Sequence, residues 1–154
     1  MWQRIQTIYL VLAVAFCAAC LCLPIAHIAT EDILTQSTVF NLWTVAPDGT
    51  KTLPALNIVG FVILLFTCTM GSCTIGFFKN RKLQASLCML CIVDMIIWIG
   101  LFCVNAFSGL IDNGGEMKPA YAACFPFVAM IFFFLARKAI LKDEALVRSM
   151  DRIR

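Results

Sequence analysis

Charge is what this sequence has least of. Asp, Glu, Lys and Arg make up 14% of its 154 residues. Residues 5–29, 53–78 and 119–135 contain none of them, and residues 83–107 contain one, Asp94. With 62% hydrophobic residues and a mean hydropathy of +0.92, the chain lies far outside the half-apolar balance of soluble domains. Histidine is nearly missing too. The single His27 excludes a zinc set built on several imidazoles, and the acids that follow it, Glu31 and Asp32, are a weak set without a second imidazole. An interfacial, hydrogen-bonded ring is its simpler role. No Gly-rich phosphate loop, nucleophile elbow or His-Glu-x-x-His pattern is present. The sequence therefore offers no catalytic, cofactor-binding or metal-binding constellation.

What is present is four long apolar runs. A hydrocarbon core of about 30 Å takes about 20 such residues per helix, and helices satisfy their own backbone groups in lipid. The expectation is an all-α integral membrane protein, a four-helix bundle with spans at about 5–29, 53–78, 83–107 and 119–141 and a tail at 142–154. Residues 5–29 are too long for a cleaved signal core, so the first span is read as retained, with Pro24 kinking it near its outer end. Between the first two spans, "STVFNLWTVAPDGTKTL" sets β-branched and aromatic residues around Pro-Asp-Gly. This predicts a short hairpin on the outer face, either a cap over the bundle or a ligand lid, with Phe40 and Trp43 at the interface. Cys68, Ser72 and Gly76 recur every four residues and suggest a small-residue seam for helix packing, with Ala15, Ala18, Ala19 and Cys22 as its counterpart on the first helix.

Ten of the twelve basic residues lie at one end of these spans: Arg4, Lys79, Arg81, Lys82 and six from Arg137 onward. By the positive-inside rule that end is cytoplasmic and carries both termini. The polarised charge points to anionic lipid headgroups and away from nucleic acid. The tail has no helix breaker, and Leu146, Val147, Met150 and Ile153 share one helical face while Glu144 precedes Arg148 by one turn. That face suits either the inner leaflet or a protein partner.

Asp94 and the cysteines are the candidates for chemistry. An ionised acid at mid-membrane costs about 3 kcal/mol on insertion scales, so Asp94 either donates a hydrogen bond as the neutral acid, with Thr67 or Thr69 at its depth, or serves a proton or cation step. All nine cysteines fall in the spans. Cys17/Cys20 and Cys88/Cys91 are Cys-x-x-Cys pairs, which keeps a membrane thiol oxidoreductase using Cys88 and Cys91 as an alternative; a loop pair to pass electrons on is missing, and Cys also serves as a small buried hydrophobe.

The two ends are more distinctive than the middle. The start "WQRIQTIYLVLA" and the finish "RKAILKDEALVRSMDRIR" resemble a family of short four-span bacterial inner-membrane proteins known as domain-of-unknown-function family 4293. The resemblance covers the whole chain and implies the four-span topology; it brings no activity, cofactor or catalytic residue. It turns attention to the ends, where Gln3, Arg4, Gln6 and Thr7 have the geometry to meet Asp143, Glu144, Arg148, Ser149, Asp151 and Arg152. The expectation is a non-enzymatic accessory or scaffolding subunit, alone as a homo-oligomer or with a membrane-protein partner. Its functional residues would be Arg148 and Arg152 in the tail. A proton- or cation-coupled carrier using Asp94 is the rival.

Overall fold

The structure, a computed structural model, describes residues 2–29, 36–77, 80–113 and 116–151. Four helices dominate it: α1 (Trp2–Cys22), α2 (Ala55–Gly76), α3 (Arg81–Asn113) and α4 (Phe125–Asp151), the last entered through a 3₁₀ turn (Tyr121–Cys124). Each contains a stretch long and apolar enough to cross a membrane, Ile5–Cys22, Ala55–Gly76, Arg81–Phe107 and Tyr121–Val147. Each helix packs against the next in sequence, and α4 closes the ring against α1. This is the up-down-up-down arrangement that short connections impose.

The buried positions repeat with alternating steps of three and four. On α1 they are Gln6, Leu10, Ala13, Cys17 and Cys20, and on α4 Ala129, Phe133, Ala136, Ile140 and Asp143. The same steps appear on α2 as Asn57, Gly60, Leu64, Thr67, Gly71 and Thr74. Such 3.5-residue spacing is that of left-handed helix packing, in which narrow seams face a common axis. The inward seam is smaller and more polar than the outward surface, because lipid already accommodates the large apolar side chains. Outward-facing Val62, Leu65, Phe66, Ile96, Phe107 and Phe134 are all exposed.

The small-residue seam therefore needs correcting. Ser72 and Gly76 face outward, Ser72 returns its hydroxyl to the Cys68 carbonyl at 2.8 Å, and nothing lies within 4 Å of a Cβ placed on Gly76. Ala15, Ala18 and Cys22 of α1 are exposed as well. The close approach is at Gly71, where a Cβ would stand 2.7 Å from Val14 Cγ2 and 3.2 Å from Phe133 Cζ. Spacing of four residues picked the wrong face because both faces of α2 are free of charge.

The first helix also ends earlier than its apolar run. Pro24 terminates α1 and does not kink it, and Ala26–Ala29 forms strand β1. Proline lacks the N–H and pushes its predecessor out of helical geometry. Four more strands follow: β2 (Gln36–Val39), β3 (Thr44–Val45), β4 (Lys51–Thr52) and β5 (Glu116–Pro119), in the antiparallel order β4-β3-β2-β1-β5. The β3–β4 turn is the Pro-Asp-Gly turn: Gly49 N–H donates to Ala46 O at 2.9 Å, and Gly49 adopts φ +78°, a conformation that favours glycine. Strand β5 comes from the loop between α3 and α4, so the sheet extends beyond a local hairpin and joins both outer loops.

At the opposite end α4 continues without a break through Asp151. Twenty-seven residues at 1.5 Å each span about 40 Å, longer than the hydrocarbon core by roughly 10 Å. An unbroken helix of that length exceeds the hydrocarbon core unless it tilts.

Candidate functional site

Polar side chains concentrate at three levels of the bundle. At the middle stands Asp94, thirteen residues from each end of the span Arg81–Phe107. It lies beside the inward seam of α3, facing α2, where the buried Thr67 is its polar neighbour. The Thr67 hydroxyl also donates to the Ile63 carbonyl at 3.0 Å. Thr69, its other candidate partner, is exposed and bonds the Phe66 carbonyl. Asp94 Oδ2 is buried and without a hydrogen-bond partner.

At the sheet end a chain of amides ties the cap to three helices. Asn41, on the turn between β2 and β3, is 2% exposed. Its amide nitrogen donates to the Cys20 carbonyl at 2.5 Å, and its Oδ1 accepts the Trp98 indole N–H at 3.1 Å. The reason for the first bond is chemical. In a continuing helix Cys20 O would accept from residue 24, but that residue is Pro24 and has no N–H. Asn41 fills the vacancy. Asn57 Nδ2 reaches Phe40 O at 3.3 Å and Thr44 Oγ1 at 3.4 Å, while Asn105 donates to Asn57 Oδ1 at 2.5 Å. The Phe40 and Trp43 rings meet at 5.7 Å between centroids, tilted by 39°, with Lys51 Nζ 5.4 Å from the centre of the Trp43 ring. The loop is a tethered cap. Nothing in the sequence singled out these three asparagines; the available signal was an amide in an otherwise apolar neighbourhood, opposite a proline that orphans a carbonyl. His27 sits in β1 opposite Thr38 and Lys118, while Glu31 and Asp32 lie outside the described residues.

At the end that carries both termini, Asp143 of α4 is 8% exposed and Gln6 of α1 is 7% exposed. Gln6 Nε2 donates to Asp143 Oδ2 at 2.5 Å, and Arg81, at the start of α3, donates to the Asp143 backbone carbonyl at 3.2 Å. Gln84 donates to Thr74 O at 3.2 Å, joining α3 to the last turns of α2. The meeting of the two chain ends is thus realised through Gln6 and Asp143. Arg148 lies on α4, but its side chain and the whole of Arg152 lie outside the described residues.

The cysteines divide by face. Cys17, Cys20, Cys88 and Cys91 are fully buried in the core, and Cys22, Cys73, Cys103 and Cys124 are exposed on the bundle surface; all nine are free thiols. Among the described residues no group of three or more His, Cys, Asp and Glu side chains is arranged to hold a metal ion.

No curated protein matches the chain. A family model described as "Domain of unknown function (DUF4293)" matches residues 2–153, nearly the full length and both of the patterned ends. This membrane protein, a capped bundle of four helices, belongs to the DUF4293 family.

Proposed function

We propose that the protein is a non-enzymatic accessory or scaffolding subunit of a complex in the bacterial inner membrane, with both termini in the cytoplasm. The observation that carries this reading is the knot at Asp143, where Gln6, Arg81 and Asp143 fasten α1, α3 and α4 together. Past the knot α4 extends to Asp151, with Leu146 50% and Val147 41% exposed. A helix anchored at its base and projecting an apolar edge is suited to docking against a protein partner. Ten basic residues at this end support the cytoplasmic orientation.

The test is the mass and composition of the tagged full-length protein isolated from its native membrane in mild detergent. A stoichiometric partner, lost on Arg148→Glu with Arg152→Glu but kept in Asp94→Asn, is the expected result. A lone monomer, or a homo-oligomer unaffected by the tail change, would refute it.

A second reading rests on Asp94. A buried carboxyl oxygen without a partner at the centre of a span is the usual mark of a proton or cation step. That reading expects a pH-dependent flux into liposomes that Asp94→Asn abolishes.

A further inference from the structure

We propose that the groove between α3 and α4, at the end carrying the termini, binds the headgroup phosphate of one anionic phospholipid. The groove has a volume of about 420 Å³. Its rim is polar, formed by Lys82 and Ser86 of α3 with Arg137 and Glu144 of α4. Deeper in the span its wall is apolar, with Met89, Leu90 and Val93 each at least 40% exposed. A polar rim above an apolar trough, open to the side, has the shape and polarity of one lipid: head at the interface, acyl chain along α3.

Arg137 supplies the demand for an anion. It lies at the level of Cys88, seven residues or about 10 Å along α3 from its start at Arg81. Its Nε is buried and has no hydrogen-bond acceptor, a condition that costs a charged donor more than a neutral one. A phosphate offers the paired oxygens that a guanidinium engages in bidentate fashion, and Lys82 adds a second cation at the rim.

The charge balance chooses the source. The lining holds two basic side chains, Lys82 and Arg137, and one acidic one, Glu144, an excess of cations that suits the single negative charge of a phosphodiester. Free phosphate, closer to a dianion, would meet the Glu144 carboxylate and leave the trough unfilled. A zwitterionic lipid would bring an ammonium group to a lining in which two cations, Lys82 and Arg137, outnumber the one carboxylate, Glu144, so its net attraction is smaller. Basic pockets between helices on this side of a membrane are a recurring form of headgroup recognition.

The experiment is a lipid titration of the delipidated full-length protein, read by native mass spectrometry. The probes are phosphatidylglycerol, phosphatidylcholine and sn-glycerol 3-phosphate. One phosphatidylglycerol per chain should be retained in preference to phosphatidylcholine. Arg137→Gln should weaken it at least fivefold, equivalent to about 1 kcal/mol per basic residue. Arg137→Lys should recover part of that loss. Lys82→Gln changes an exposed side chain, so its expected loss of affinity is independent of folding. Lys138→Gln removes the same charge beside a different groove, the one lined by Tyr9 and Lys142, and should leave retention unchanged. Equal retention of both lipids would overturn the proposal. So would an equal loss in Lys138→Gln, which would mean a diffuse charge belt, or displacement by glycerol 3-phosphate, which would mean a phosphate site without a lipid.

Discussion

Replacing Asn41 by alanine tests how the outer cap is held. Three hydrogen bonds disappear, those that the Asn41 amide donates to Cys20 O and, at 3.6 Å, to Cys20 Sγ, and the one it accepts from the Trp98 N–H. Both partner residues stay buried, Cys20 at 0% and Trp98 at 2% exposure, and the weak sulfur contact adds little to the cost. A typical bond contributes about 1 kcal/mol net, and an orphaned buried partner costs about 1–3 kcal/mol. The expected loss is about 2–3 kcal/mol, a roughly 30- to 150-fold shift in the unfolding equilibrium. The assay is reversible unfolding in mixed detergent micelles followed by tryptophan fluorescence. A second substitution makes the reasoning specific: Pro24→Ala restores an N–H four residues after Cys20, so in the Asn41→Ala background it should recover about 1 kcal/mol. In the native background, where Cys20 O is already satisfied, it should recover nothing. Either an Asn41→Ala protein within about 0.5 kcal/mol of the native one, a surface-like effect, or a Pro24→Ala effect equal in both backgrounds would refute the account.

Two further outcomes follow from the packing. Gly71→Ala should destabilise by about 1–3 kcal/mol through overpacking against Val14 and Phe133, whereas Gly76→Ala, with open space around it, should be neutral or stabilising by up to about 1 kcal/mol; the same unfolding assay ranks them. Asp143→Ala should cost about 2 kcal/mol by leaving Gln6 unsatisfied, and Asp143→Asn less, because it keeps an acceptor. A double-mutant cycle with Gln6→Leu that proved additive would show that the 2.5 Å contact does not couple the chain ends.

The sequence showed four helices long and apolar enough to cross a membrane because a lone acid in four apolar runs leaves little freedom, and it anticipated the helical tail and the Pro-Asp-Gly turn from local chemistry. It misplaced the end of α1, since Ile25 to Ala29 are as apolar as the helix before them. The decisive influence there is the pairing of β1 with both β2 and β5, with partners about ten and ninety residues away. Asp94 was conspicuous for its charge. Asn41, Asn57 and Asn105 were not, because an amide gains meaning only from the group it faces.

By itself the sequence determined the environment of the chain, the number of helices and the polarity of their ends, because these depend on transfer of single residues between water and lipid. Only the tertiary structure decided which seam of each helix turns inward, that Asn41 replaces the N–H missing from Pro24, and that Gln6 meets Asp143. In a bilayer the apolar surface does not distinguish inside from outside, so contact between distant residues settles what hydropathy leaves open.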